Sequence, residues 1–322
     1  MKAYYIFSFF ILLFLVSAGN IFTLGRFASA NTIETADNSQ FTEKTDISQE
    51  SQQSNIRAEL IMKALAAAYP DRILKVEFRN DDWAILLRDR WFYYANGKIL
   101  PEDLLDNAED YSRLSFYNYP YDLPPWKKPS EEEAARYSNI ANNRNNNPRK
   151  RSSHFFDDLY RMHDSDEASQ RVKSIRFLGM SVVVHYSILE ELSLVEERIQ
   201  ALAKTDSNVR LWVNNIKSVD GWVWRNIADI QSRSFHSYGT AIDIMPKSFG
   251  NKQTYWLWAT EIRSDWWNIS YSERYQPPDA VIKAFEAYGF IWGGKWLIFD
   301  TMHFEYRPDI IILNNLNLET MR

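Results

Sequence analysis

The sequence predicts an α+β protein whose chemistry is concentrated in its C-terminal half. Apolar residues recur at helical spacing around Ala58–Ala68, Ile188–Leu202 and Val281–Tyr288. Short extended candidates lie between and beyond them, with turn signals such as Asn96-Gly97. Nine of the twelve tryptophans fall between Trp212 and Trp296. At 322 residues the chain holds one large domain or two modest ones, and 45% hydrophobic content is ample for a core. A net charge of -5 is mild, so nucleic acid is not an expected partner. There is no cysteine. Disulfides, thiolate metal sites and a lipoprotein-type thioether anchor are excluded, which leaves His and carboxylate as metal ligands.

The N-terminus reads as an export signal or an anchor. Lys2 precedes the apolar run Tyr4–Val16, and Ala28-Ser29-Ala30 offers a small-x-small cleavage site. A terminal position, the leading Lys and the polar tail that follows disfavour a buried core helix. Residues 1–30 are therefore signal peptide or membrane anchor, and either places the remainder outside the cytoplasm, in the periplasm or cell envelope. Residues 31–55 are rich in Ser, Thr, Gln, Asp and Glu and read as a disordered linker.

Order is expected from near Ile56. A helix through Ala58, Leu60, Ile61, Leu65 and Ala68 ends before Pro70, and strands follow at Ile73–Phe78, Trp83–Leu87 and Arg90–Tyr94. Residues 56–130 then form a small α+β region, closing in a surface connector from Tyr117 to Pro129. Residues 131–172 read as a further connector, with Arg149-Lys150-Arg151 as a solvated basic loop. In the last segment, 173–322, Ile188, Leu192, Val195, Ile199 and Leu202 mark a core-facing helix. Strand-like stretches are expected at Val209–Val213 and Trp222–Trp224. The tryptophans Trp222, Trp224, Trp292 and Trp296 read mainly as core, with a cleft lining as the alternative.

The chemistry begins at Ser234-Phe-His236-Ser-Tyr-Gly239-Thr-Ala241-Ile-Asp243. Gly239 permits a backbone conformation that a side chain would hinder. Asp243 is a charge in an otherwise apolar strand and needs a compensating partner. Taken alone, His236 and Asp243 are better read as a hairpin with a surface Asp and a hydrogen-bonded His. The second segment changes the weighing. Pro277-Pro-Asp279 opens a helix that Gly289 closes. A glycine turn and a strand from Leu297 to Tyr306 follow, carrying Asp300-Thr-Met-His303-Phe-Glu305. Two histidines and a carboxylate are the ligand set of a three-protein-ligand zinc site. In a strand, Glu305 projects to the same side as His303 and can orient it, or can pair with Arg307 or Lys295. His154, His163 and His185 sit in no comparable company and read as structural.

These residues resemble a known family. Ser234-x-His236-x-x-Gly239-x-Ala241-x-Asp243 matches each fixed position of the SxHxxGxAxD signature of the D-alanyl-D-alanine carboxypeptidase and dipeptidase metallopeptidases, within the wider LAS group. Phe290 to Glu305 is similar to the WGG…DxxHFE block of the branch that includes phage L-alanyl-D-glutamate endopeptidases. The resemblance covers roughly the last third to half of the chain. It implies a LAS or hedgehog-like zinc peptidase core with a small antiparallel sheet. It also implies His236, Asp243 and His303 as Zn2+ ligands and Asp300 as general base. Ser234 would bond the substrate, and an upstream arginine would face the carbonyl oxygen: Arg225, with Arg233 as rival.

The implied function is an exported zinc metallopeptidase acting on peptidoglycan peptides. The bond cut is either D-Ala-D-Ala, as in a carboxypeptidase, or L-Ala-D-Glu, as in an endopeptidase. A catalytically silent peptidoglycan-binding protein and a structural envelope protein are the alternatives. A pure binder, however, has no need of Asp300.

Overall fold

The computed structural model describes residues 39–142, 150–225 and 233–320. From Gln49 onward the chain is one compact unit, and the packing below concerns that unit. The expected export segment, Tyr4–Val16 with Ala28-Ser29-Ala30, lies outside the described residues. Among those described, no helix is long and apolar enough to cross a membrane.

Helix α1 runs from Ser39 to Ala68. Of the segment expected as a disordered linker, residues 31–38 lie outside the described residues and the chain is helical from Ser39 on. No Pro or Gly interrupts the sequence between Ser39 and Ala68, so nothing stops the helix on its upstream side. Pro70 ends it as expected. Its buried face, Ala58, Ile61, Met62 and Leu65, covers an antiparallel sheet. That sheet is β1 (Ile73–Arg79), β2 (Asp82–Leu87), β3 (Arg90–Tyr93) and β4 (Leu100–Pro101), in that order. The turn between β3 and β4 carries Asn96 at φ 56°, a left-handed position that asparagine tolerates.

The stretch read as a connector is built into the core. Strand β5 (Tyr111–Ser112) pairs in parallel with β6 (Lys150–Arg151). Helices α2 (Glu131–Asn142), α3 (His154–Tyr160) and α4 (Ser165–Ser169) follow the same region of chain. Phe155, Phe156, Leu159 and Tyr160 of α3 are buried in one apolar cluster with Ile61, Leu65 and Phe92. Tyr238 and Leu313 belong to that cluster too, so residues 56–130 and the C-terminal segment share a core.

A hairpin that the sequence reading missed, β7 (Val172–Phe177) and β8 (Met180–His185), leads to α5 (Leu189–Thr205) and α6 (Ser207–Asn214). Helix α5 buries Leu192, Val195 and Ile199 as expected. Val209–Val213, expected as a strand, lies in α6. The reason is local: Asp206 caps the helix, accepting from the backbone N–H of Asn208 at 2.8 Å and of Val209 at 3.4 Å. Nor do Trp222–Trp224 form a strand. The strand lies just upstream, at β9 (Ile216–Asp220).

The second sheet positions the chemistry. Strand β10 (Ala241–Pro246), helices α7 (Trp256–Ile262) and α8 (Asp279–Glu286), strands β11 (Phe290–Trp292) and β12 (His303–Tyr306), and α9 (Pro308–Thr320) complete the chain. Its strands run in the antiparallel order β11-β12-β10-β9. One face buries Ile242, Ile244 and Phe304 against α5, α6 and α8. Phe304 stacks on Phe285 at a centroid distance of 3.9 Å. Burying a ring of this size stabilises the fold by about 1.5–3 kcal/mol. Side chains alternate along a strand, so the residues between these apolar ones face the other way.

His185 supports the turn beside that sheet. It is buried, with Nε2–H donating to the Tyr160 carbonyl at 3.1 Å and Nδ1 accepting from the Ser187 backbone N–H at 3.1 Å. Burial lowers its pKa from 6.5 to about 4. The fold accepts the neutral ring, so this contribution is whole above pH 6.5. It is lost as pH falls toward 4, where the folded ring also protonates. The loss over that window is on the order of 3 kcal/mol. In thermal unfolding as a function of pH, His185→Asn should flatten the decline between pH 6.5 and 4 relative to the unsubstituted chain. Parallel profiles would contradict the assignment.

Candidate metal centre

The first histidine stands on a short turn. Ser234 is extended, and its hydroxyl accepts from the backbone N–H of His236 at 3.3 Å, which starts the 3-10 turn Phe235–Tyr238. Gly239 ends the turn at φ 62°. A Cβ there would stand 2.7 Å from the backbone nitrogen of His185, so both the dihedral and the space require glycine. The chain then enters β10, and Asp243 emerges on the face opposite Ile242 and Ile244.

The second histidine arrives by strand pairing. β10 and β12 are in register with Asp243 opposite His303. His303 Nδ1 lies 2.9 Å from Asp243 Oδ1, and His236 Nε2 lies 3.3 Å from Asp243 Oδ2. The two imidazole rings meet edge to face at 5.1 Å. His236, Asp243 and His303 each offer a ligand atom within 4.8 Å of the others. Bond lengths of about 2.0–2.2 Å in tetrahedral zinc sites set ligand atoms about 3.4 Å apart, so the trio already stands near that spacing.

The outer nitrogens are engaged in the way a metal site needs. His236 Nδ1 lies 2.8 Å from the Gly221 carbonyl. A carbonyl only accepts, so Nδ1 carries the hydrogen and Nε2 presents its lone pair. His303 Nε2 has the Glu305 carboxylate at 3.1 Å, which leaves Nδ1 for the centre. Without a cation, the charges crowd one another. Burial would raise the Asp243 carboxyl, but hydrogen bonds from His236 and His303 win and hold it well below the usual carboxylate range. Burial would likewise lower His303, yet Asp243 and Glu305 raise it well above 6.5. Two imidazoles facing one carboxylate in a buried site fit a divalent cation in both donor type and spacing.

Asp300 shares the cavity, whose volume is about 580 Å³, with all three. Its carboxyl is pushed up to about 6, by burial first and then by the negative charge of Asp243. Its backbone N–H donates to the Gly293 carbonyl at 3.1 Å, so the glycine turn after β11 fixes its place. Ser234 lines the cavity as well as capping the turn. The two candidate arginines differ. Arg233 pairs with Asp157 of α3 and with the Met162 carbonyl, and its guanidinium lies 4.0 and 4.2 Å from the Trp224 and Tyr238 ring centres. It is a strut between α3 and the motif turn that also lines the cavity, with Nε and Nη2 buried and unpartnered among the described residues. Arg225 is exposed at the cavity, its backbone N–H held by Ser237 Oγ at 3.0 Å.

Sequence reasoning missed three residues here. The Gly221 carbonyl sets the His236 tautomer, and a Cβ at Gly221 would stand 2.2 Å from the Val183 carbonyl oxygen. Arg151, expected in a solvated loop, lines the cavity, where burial lowers its pKa against the pull of Glu305. Tyr117, expected in a surface connector, lines it too. No local signal marks the last two. Of the four tryptophans weighed from the sequence, Trp296 lines the cavity, at 5.5 Å from the His303 ring.

Behind His303, alternate residues of β12 and its exit form a buried row of charges. Glu305 Oε1 faces Arg307 Nη1 at 3.6 Å, so Glu305 both orients the histidine and pairs with Arg307. Arg307 donates to Asp309 from Nη2 at 2.7 Å and from Nε at 2.9 Å. The Tyr69 phenol, just past α1, donates to the same Asp309 at 3.2 Å. Glu305→Gln keeps the shape and an acceptor for His303 but removes the charge. In chelator competition it should weaken zinc binding roughly 10- to 100-fold. An unchanged affinity would detach Glu305 from the metal site.

With this geometry established, comparison with known proteins is informative. Residues 228–306 match the family model described as D-alanyl-D-alanine carboxypeptidase. Residues 61–116 match the model of a domain of unknown function. No curated protein and no solved structure matches the chain. The first match spans His236, Asp243, Asp300 and His303 together, and it supports a peptidase of that family.

Proposed function

We propose that this chain is an exported, zinc-dependent peptidase that hydrolyses peptidoglycan stem peptides. One observation carries the reading: His236, Asp243 and His303 converge in a cavity that also holds the half-buried carboxyl of Asp300. The same residues lie inside the stretch that matches the carboxypeptidase family. A small antiparallel sheet with this trio on one face and helices on the other suits a zinc peptidase core of the LAS group.

Bound zinc would supply Lewis acidity, polarising the scissile carbonyl and making water nucleophilic near neutral pH. The remaining work falls to side chains. Asp300 takes the proton of the attacking water and hands it to the leaving amine. Burial, the first cause of its raised pKa, suits the Asp300 carboxyl to both halves of that transfer. Arg225, the exposed one of the two arginines that line the cavity, stabilises the negative charge that develops on the carbonyl oxygen, while Arg233 also pairs with Asp157. Ser234 contacts the substrate beside the first ligand. Export rests on the N-terminal sequence, and a cell-envelope location brings the enzyme to its polymer, with membrane attachment where that segment is retained.

Asp300→Asn should lower turnover of stem peptides by roughly 10²- to 10⁴-fold while metal analysis still finds zinc bound. His303→Ala should lose zinc and turnover together. An Asp300→Asn chain that cleaves at the unsubstituted rate would overturn the assignment of the base.

A further inference from the structure

Part of the cavity wall comes from outside the stretch that matches the peptidase family. Tyr117 follows residues 61–116 directly and precedes residues 228–306 by more than a hundred positions. It sits on a strap without regular secondary structure that is pinned to the β11–β12 connection by side chains. The Lys295 ammonium donates to the Pro120 and Tyr121 carbonyls at 2.9 and 2.7 Å. The Trp292 backbone N–H donates to the Tyr119 phenol at 2.9 Å, and that phenol in turn donates to Glu286. Trp296 Nε1–H donates to the Tyr117 phenol oxygen at 2.6 Å. The Trp296 ring leans on His303 at 5.5 Å, so the position of this phenol is tied to that of a metal ligand.

The phenol oxygen is used as an acceptor, while its own hydrogen has no acceptor among the described residues. Burial, and then the charge of Glu305, raise the Tyr117 pKa, so the group remains a donor at neutral pH. A partly buried hydroxyl whose hydrogen goes unused is costly unless water or a ligand accepts it. It faces the cavity that holds His236, Asp243, His303 and Asp300.

We infer that Tyr117 is a substrate-contacting residue, whose phenol donates a hydrogen bond to a carboxylate or carbonyl oxygen of the bound peptide. The inference rests on the peptidase reading above. The strap thereby contributes to substrate selection, and the N-terminal region takes part in the site.

The test is Tyr117→Phe in the full, zinc-loaded chain, which keeps the ring and removes the hydroxyl. KM for a stem peptide should rise about tenfold, the scale of one lost hydrogen bond, with zinc affinity unchanged and Tm lowered only by the lost acceptor of Trp296 Nε1–H. Calorimetry in the Asp300→Asn background reads the same change without turnover, as peptide binding weakened about tenfold. A loss confined to peptides with a free C-terminus identifies the carboxylate as the acceptor, and an equal loss with amidated peptides identifies a backbone carbonyl. Unchanged KM and binding, in a chain whose unsubstituted form is active, would overturn the inference alone. So would a loss that tracks weakened zinc binding, because Tyr117 would then only prop Trp296 against His303. If the unsubstituted chain neither binds nor cleaves stem peptides, the peptidase reading falls and this inference falls with it.

Discussion

The candidate site depends on one strand register. Pairing Asp243 with His303 across β10 and β12 puts two candidate ligands side by side and sends Ile242 and Phe304 to the opposite face. A slip of one residue would turn a whole strand over, burying the charges among Phe285, Val281 and Leu192 and exposing the apolar row. The cost of burying charge without a partner therefore enforces the register as strongly as the packing of the rings does. His236 comes from outside the strands, but it too is held by this arrangement. Its turn ends on Gly239, and the next residues are already paired to β12.

The same alternation extends the site into the fold. His303, Glu305, Arg307 and Asp309 follow at every second position, and each charge compensates the one before it. Removing one member would leave its neighbour uncompensated in a buried place, a far larger cost than the net worth of the pair. Through Asp309 the row reaches Tyr69, and through the Ser115 carbonyl, which accepts from Arg307 Nη2 at 3.3 Å, it reaches the strap that bears Tyr117. Two separate family models cover residues 61–116 and 228–306, yet the two stretches share an apolar cluster and are bridged by Arg307 and Asp309 through the Ser115 carbonyl and the Tyr69 phenol. In this structure the N-terminal region supports the candidate metal ligands from behind and lines the cavity from the side.

What could be read from the sequence was what is local. Gly239, the alternation Ala241-Ile-Asp243-Ile and the pair His303/Glu305 carry their geometry within a few residues, and each stands where the pattern put it. Helix α5 was legible from its apolar period and β1 to β3 from their turns. Val209–Val213, expected as a strand, is helical because Asp206 caps α6, a local signal that the apolar run hides. Residues 39–55 are helical although their polar composition suggests disorder, because an uninterrupted run without Pro or Gly is also compatible with helix. Tyr117 reaches the cavity beside Trp296, more than a hundred residues away, and Arg151 reaches it through a strand pairing with Ser112, and no spacing rule sees either. Likewise no spacing separates Arg225 from Arg233; both line the cavity, and the second also pairs with Asp157 of α3.

The most direct measurement is mass spectrometry of a defined stem peptide incubated with the zinc-loaded chain and, in parallel, with the chain stripped by chelator. The account predicts a metal-dependent product, either loss of one alanine from the C-terminus or release of the peptide beyond L-alanine. An intact peptide after incubation with chain that demonstrably holds zinc would contradict it.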